Sequence, residues 1–80
     1  MTMADFEAAA AKAKTFTSLS NEQMLDLYKH YKQATVGDCN TDRPGMFDMK
    51  GRAKWDAWNS VKGMPQEEAK TKYIAVVNSL

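Results

Sequence analysis

The chain has 80 residues, with 11 Lys or Arg against 10 Asp or Glu and a formal net charge of +1. That length makes one domain, residues 1–80, with a single modest core and no space for a separate cofactor domain. Near-neutral charge excludes the broad basic field on which non-specific nucleic-acid binding runs, so any anion site here must be local.

The opening, MTMADFEAAAAKAK, has neither a basic n-region nor a long aliphatic core, so it reads as a helix and not as a signal peptide. Thr2 excludes the myristoylation motif. The first helix is expected from about Ala4 to Lys14, with Phe6, Ala9, Ala10 and Ala13 on one arc and Thr2 with Asp5 as its cap. A polar break, TFTSLS, follows. Ser20 then opens a second helix, with Gln23 completing a capping box and Leu19 paired to Met24 as a hydrophobic staple. Gly37 should stop that helix after Val36.

Residues 37–47, GDCNTDRPGMF, are rich in turn formers and read as an ordered crossing loop. Cys39 within it is the only cysteine, which precludes an internal disulfide and fits a reducing compartment. Asp48 should cap a third helix, MKGRAKWDAWNSVK, which Gly63 ends. Pro65 suits the first turn of a fourth helix, where Glu67 and Glu68 favour the positive end. Ala69, Tyr73, Val76, Val77 and Leu80 are its expected buried arc. No apolar run approaches membrane-spanning length. The expected class is a small all-α four-helix bundle, cytoplasmic and monomeric.

Polar groups interrupt these stripes in a pattern. At about 100° per residue, Met24, Leu27 and Tyr31 make the core stripe of the second helix, with Glu22, Asp26, His30 and Gln33 on the solvated side. Leu25, Tyr28 and Lys32 share one shoulder. A lysine stem snorkelling over apolar surface accounts for that helix alone. In the third helix, however, Lys50 and Lys54 fall in line with Ala57 and Val61, with Trp58 at the edge, although Arg52, Asp56 and Asn59 mark an available polar side. Two lysines one turn apart repel unless an anion lies between them. Tyr28, Lys32, Lys54 and Tyr73 together make a candidate phosphate site in which lysines bring charge and tyrosines bring neutral donors and aromatic faces. The competing reading of Tyr73 is a core tyrosine satisfied by backbone. A phosphorylated, aromatic, partly apolar ligand suits the mixture.

Other chemistry finds no support in the residues. His30 has no second His or Cys at ligand spacing, which argues against a metal. Cys39 lacks a flanking base. Gly37 and Gly45 lack the Lys-Ser/Thr of a P-loop. Trp55 and Trp58 read as packing or as a groove lining. No nucleophile, base and orienting group stand together, so the chain is read as a binding protein and not an enzyme, with no cofactor.

YKHYKQATVGD, followed by NTDRPGMFDMKGRAKWDAWNSVKG, resembles the acyl-CoA-binding protein family, also called diazepam-binding inhibitor in animals. The resemblance runs from Phe6 to Leu80. It implies a bundle of up-down-down-up type with a long overhand loop, binding long-chain acyl-coenzyme A with its 3′-phosphate on lysine and tyrosine side chains and its acyl chain in a groove. By resemblance the phosphate contacts match Tyr28, Lys32, Lys54 and Tyr73, and the adenine neighbour matches Tyr31. Lys14 and Lys50 match further basic contacts, Ala9 a small residue beside the nucleotide, and Met24 and Leu25 the border of the acyl groove. Lys29 stands where the family usually has a small residue and is expected to steer the ligand. With it and His30, the expected ligand-binding set is Ala9, Lys14, Met24, Leu25, Tyr28, Lys29, His30, Tyr31, Lys32, Lys50, Lys54 and Tyr73. Leu19 replaces a usual proline, and the charged extension common in the family does not follow Leu80. The implied partners are acyl-CoA and enzymes that use it, with transient membrane contact at most. A second role, as a protein-interaction module or secreted peptide precursor, is also allowed by the resemblance, although no basic cleavage pair marks a processing site.

Overall fold

A computed structural model describes residues 3–80 as four helices: α1 (Met3–Ala13), α2 (Asn21–Thr35), α3 (Met49–Asn59) and α4 (Gln66–Ser79). The helix starts follow from their caps. The Ser20 side chain accepts from the Gln23 N–H at 3.1 Å, and the Ser20 N–H donates to Gln23 Oε1 at 2.8 Å, which completes the capping box. Asp48 accepts from the Gly51 N–H at 3.0 Å and starts α3. Gly37 and Gly63 adopt φ of 102° and 92°, a backbone region that side chains disfavour; Gly37 directly follows the C-cap of α2, and Gly63 closes the turns that follow α3. The expected Thr2 cap lies outside the described residues.

Contacts fix the topology. Gln33 Nε2 donates to the Met64 carbonyl at 2.8 Å and Gln66 Nε2 to the Ala34 carbonyl at 3.2 Å, so α2 ends where α4 begins and the two are antiparallel. Trp58 Nε1 donates to the Gly37 carbonyl at 2.8 Å, which brings the end of α3 to that same pole. Asn21 and Met24 meet Met49 and Lys50 at the opposite pole, so α2 and α3 run parallel. Phe6, early in α1, stacks on Tyr31, late in α2, with ring centroids 5.7 Å apart. The arrangement is therefore up-down-down-up, with residues 36–48 crossing the molecule. That crossing is tied down by α3: Arg43 makes a two-pronged pair with Asp56 at 2.9 and 3.0 Å, and Trp55 Nε1 donates to the Thr41 carbonyl at 2.8 Å.

The helices pack α1 on α4, α4 on α2 and α2 on α3. The core gathers Phe6 and Ala9 from α1, Leu27 and Ala34 from α2, and Ala69, Tyr73, Ile74 and Val77 from α4. Several expectations need correction. His30 and Gln33, placed on the solvated side, are buried, whereas Met24 and Tyr31 from the supposed core stripe are nearly half exposed. The reason is that α2 lies between α3 and α4 and buries two faces, so a single-stripe wheel has the wrong phase. His30 satisfies its ring by donating from Nδ1 to the Asp26 carbonyl at 2.8 Å. Exposure of Met24 leaves the Leu19–Met24 staple unsupported, since Leu19 instead packs on the core. In α4, Ile74 replaces Leu80 in the buried set. Pro65 is the N-cap of α4 rather than a residue of its first turn, and α3 ends at Asn59, with turns continuing to Gly63.

Asp38 ties the two loops at the α2–α4 pole, accepting from the Gly63 N–H and from Gln33 Nε2, both at 2.8 Å. The Gly63 bond, then the Gln33 bond, and more weakly Lys62, hold its carboxyl below the ordinary 3.8. A carboxyl depressed by folding stabilises the native state fully above its unfolded value and loses that contribution as pH falls through the folded one. Asp38→Asn should therefore lower the urea midpoint at pH 7, and the gap from wild type should narrow at a pH below the ordinary 3.8. A gap of equal size at both pH values would mean that the carboxylate charge contributes nothing.

Candidate functional site

Between the parallel α2 and α3 lies a groove of about 580 Å³, lined by Asn21, Met24, Leu25 and Tyr28 on one wall and by Met49, Lys50, Ala53 and Lys54 on the other. Each wall repeats at three to four residues, so both present a single helical face to the cleft. Met24, Leu25, Met49 and Ala53 are its apolar lining, with Lys50 between the last two, and Tyr28 and Lys54 stand further along both helices.

The charges along it are unusual. None of Lys32, Lys50 and Lys54 has a carboxylate within 4 Å among the described residues; the ion pairs fall to Lys29, His30, Arg43 and Lys70. Lys54 Nζ instead lies 5.5 Å from the ring centre of Tyr28, and Lys32 Nζ lies 4.7 Å from that of Trp58. Cations resting on aromatic faces are held weakly and remain available to an anion.

The remaining residues fall into separate settings. Tyr73 is buried against Phe6 and Tyr31, with centroids 5.2 and 5.7 Å away, and so belongs to the aromatic cluster between α1, α2 and α4 rather than to the lining of the groove. Burial, and secondarily Tyr31 beside it, push its phenol above the usual range, so it is a neutral donor at pH 7. Tyr31 in the same cluster is 41% exposed and offers an open aromatic face. Ala9 lines a smaller hollow of about 360 Å³ between α1 and α4, with Asp5, Lys12, Ile74 and Asn78. Lys14 is exposed in the turn after α1. Lys29 and His30 both turn toward Asp26, the lysine at 3.5 Å, and neither lines the groove.

The structure thus brings together Met24, Leu25, Tyr28, Lys50 and Lys54, with Lys32 one turn beyond Tyr28. It adds Asn21, Met49 and Ala53, which sequence reasoning missed. Met49 and Ala53 are each one residue before Lys50 and Lys54, so the displaced lysines were a usable signal for them. The larger groove, with apolar walls and unpaired cations, has the chemistry of a site for a ligand with an apolar tail and an anionic head.

A family model for acyl-CoA-binding protein matches residues 3–77. Acyl-CoA-binding protein homolog 1 of Caenorhabditis elegans is 53% identical over 76 residues, 94% of this chain and 88% of that protein. Acyl-CoA-binding domain-containing protein 1 of Oryza sativa subsp. japonica is 58% identical over 77 residues, 95% of this chain and 85% of that protein. Among solved structures, acyl-CoA-binding protein 2 of Oryza sativa is similar with a TM-score of 0.92 at 52% identity, over 96% of this chain and 87% of that one. The acyl-CoA-binding protein of Moniliophthora perniciosa follows at 0.90 and 41%, over 95% and 76%.

Proposed function

The chain belongs to the acyl-CoA-binding protein family, and on that premise we propose that it binds long-chain acyl-CoA, buffers it and carries it between the enzymes that make and use it. The observation that carries this reading is the make-up of the α2–α3 groove: methionine and leucine walls stand beside lysines that have no carboxylate within 4 Å among the described residues. The acyl chain lies along Met24, Leu25, Met49 and Ala53. Lys54 and Lys32 take the 3′-phosphate with Tyr28 as a neutral donor, Tyr73 is a second neutral donor from the adjoining aromatic cluster outside the groove lining, and Tyr31 offers its open face to the adenine. Ala9 leaves room for the nucleotide, and Lys14 and Lys50 add charge at its margins. Lys29, held toward Asp26, steers the approaching anion, and His30 acts indirectly by fixing α2. Lys29→Ser should therefore slow association modestly at low salt without changing dissociation, as stopped flow would read. The protein works as a cytoplasmic monomer, needs no cofactor and performs no chemistry on the thioester. No helix among the described residues is long and apolar enough to cross a membrane.

Lys54 gives the direct test. It is exposed, so Lys54→Ala should leave the fold intact and relieve repulsion with Lys50. A charge-assisted bond to a partly desolvated phosphate contributes roughly 1.5–3 kcal/mol. Palmitoyl-CoA should bind Lys54→Ala about tenfold or more weakly by calorimetry. Palmitoyl-CoA lacking the 3′-phosphate should already bind wild type weakly, and the substitution should then cost little more. That non-additivity marks direct pairing. If the two losses simply add, Lys54 touches some other part of the ligand.

A further inference from the structure

Apart from Tyr28, the apolar lining of the α2–α3 groove is Met24, Leu25, Met49 and Ala53, so each wall carries one methionine. Met24 is 49% exposed and Met49 79%, which leaves both side chains in an open cleft rather than inside packed protein. Leu25 and Ala53 carry no group that an oxidant attacks. Met64, by contrast, is partly buried against the main core. Met46 is 68% exposed but lies outside the groove lining.

A thioether suits a groove for apolar tails, because its unbranched stem and polarisable sulfur adapt to chains of varying shape. The same sulfur is open to oxidation. Its lone pair attacks an oxygen of hydrogen peroxide, an S–O bond forms, the O–O bond breaks and water leaves. Sulfur loses two electrons and the peroxide gains them. The product, methionine sulfoxide, puts a polar S=O where an apolar wall stood. An acyl chain laid along it meets a group that methylenes cannot hydrogen-bond, and covering such a group is unfavourable. Both walls change together, while Tyr28, Lys32 and Lys54 keep their chemistry. Oxidation therefore divides recognition in two: the tail loses its lining, and the anionic head keeps its lysines.

We propose that Met24 and Met49 form a paired oxidative modification site, at which a peroxide converts the groove lining to sulfoxide and so drives apolar tails out. A bound tail lies over both side chains, so the empty protein is the form that reacts and the loaded one is shielded. Methionine sulfoxide reductases, one for each sulfoxide epimer, reverse the change. The site stands on the exposure of the two methionines and their place in the lining. Its consequence for acyl-CoA rests on the reading above.

The test treats the full chain, without ligand, with hydrogen peroxide and then with dithiothreitol. The second step returns a disulfide or sulfenic acid at the free Cys39 to thiol and leaves sulfoxides in place. Peptide mass spectrometry should show Met24 and Met49 oxidised well ahead of Met64. Saturating palmitoyl-CoA should slow both and leave the rate at Met46 as it was. By calorimetry, the oxidised protein should bind palmitoyl-CoA about tenfold or more weakly and free CoA as before. Both reductases together should restore the affinity. Met24→Leu with Met49→Leu removes the two sulfurs at similar volume. Whatever affinity that variant starts from, peroxide should leave it there. A comparable loss in the leucine variant would overturn the proposal, as would undiminished affinity in oxidised wild type or an equal loss toward free CoA. So would oxidation of Met24 and Met49 no faster than that of Met64. If untreated wild type did not bind palmitoyl-CoA, the acyl-CoA reading would fall, and the peptide masses would decide the modification site by themselves.

Discussion

Palmitoyl-CoA is expected to bind this protein roughly a thousandfold more tightly than free CoA, because the groove's contribution is absent from CoA. A methylene moved fully out of water contributes ~0.8 kcal/mol, so burying about five of them supplies ~4 kcal/mol, or about three orders of magnitude. The groove, at about 580 Å³ and walled by Met24, Leu25, Met49 and Ala53, is open along one side, so each carbon contributes less than the full value and more of them must enter. Affinity measured by calorimetry across chain lengths should climb steadily and then level off where the chain outruns Met49. Lys54→Ala should shift that whole series downward without altering its slope, since phosphate and methylenes occupy different stretches of the groove and distant effects add. Free fatty acid should also bind weakly, because it lacks the group that meets the lysines. Equal affinity for CoA and palmitoyl-CoA would remove the groove from the mechanism.

Much of this was legible before any coordinates. Helix boundaries are largely written in local chemistry, and Ser20 with Gln23, Asp48 and Gly37 act where their residue types place them, whereas α3 ends at Asn59, short of Gly63. Tyr28, Lys32 and Lys54 stood out because lysines lay in line with apolar residues, and they do lie beside the α2–α3 groove. What a helical wheel cannot supply is the number of neighbours a helix has. α2 touches both α3 and α4, so its buried arc is broad enough to take in His30, whose Nδ1 bonds to the Asp26 carbonyl, and Gln33, whose Nε2 bonds to Asp38 and to the Met64 carbonyl. Gln33 is not fully met: its Oε1 is buried with no partner among the described residues. Tyr73 illustrates the other limit. Its burial followed from the α4 pattern, but whether its ring joined Lys54 or Tyr31 depends on how α1 lies across α4, which no local pattern encodes. Met49 and Ala53 were missed because one is a first-turn residue and the other a small one, and neither stands out until a second helix faces it.

Trp58→Ala should be the most damaging single change in the α2–α3 half of the molecule. Trp58 is 4% exposed, and apart from Val61 it is, among the described residues, the only buried large apolar side chain that lies outside the main core cluster. Among the helices α3 packs only on α2, so this tryptophan carries much of its attachment. It does so twice over, since Nε1 also donates to the Gly37 carbonyl and pins the start of the crossing loop. Truncating a buried tryptophan costs about 3–5 kcal/mol, a large share of the ~5–15 kcal/mol available to a domain and larger still in a small one. The urea midpoint should fall accordingly. Hydrogen exchange should show α3 losing protection before α1 and α4, whose shared core is untouched. Trp58→Phe keeps most of the packing but leaves the Gly37 carbonyl without its donor, and should cost about 1–3 kcal/mol. Because Lys50 and Lys54 ride on α3, palmitoyl-CoA should bind Trp58→Ala weakly. A saturating excess of the ligand should in turn restore part of its stability by mass action. If Trp58→Ala costs under about 1 kcal/mol, or if protection falls evenly across all four helices, α3 is held by something other than this ring.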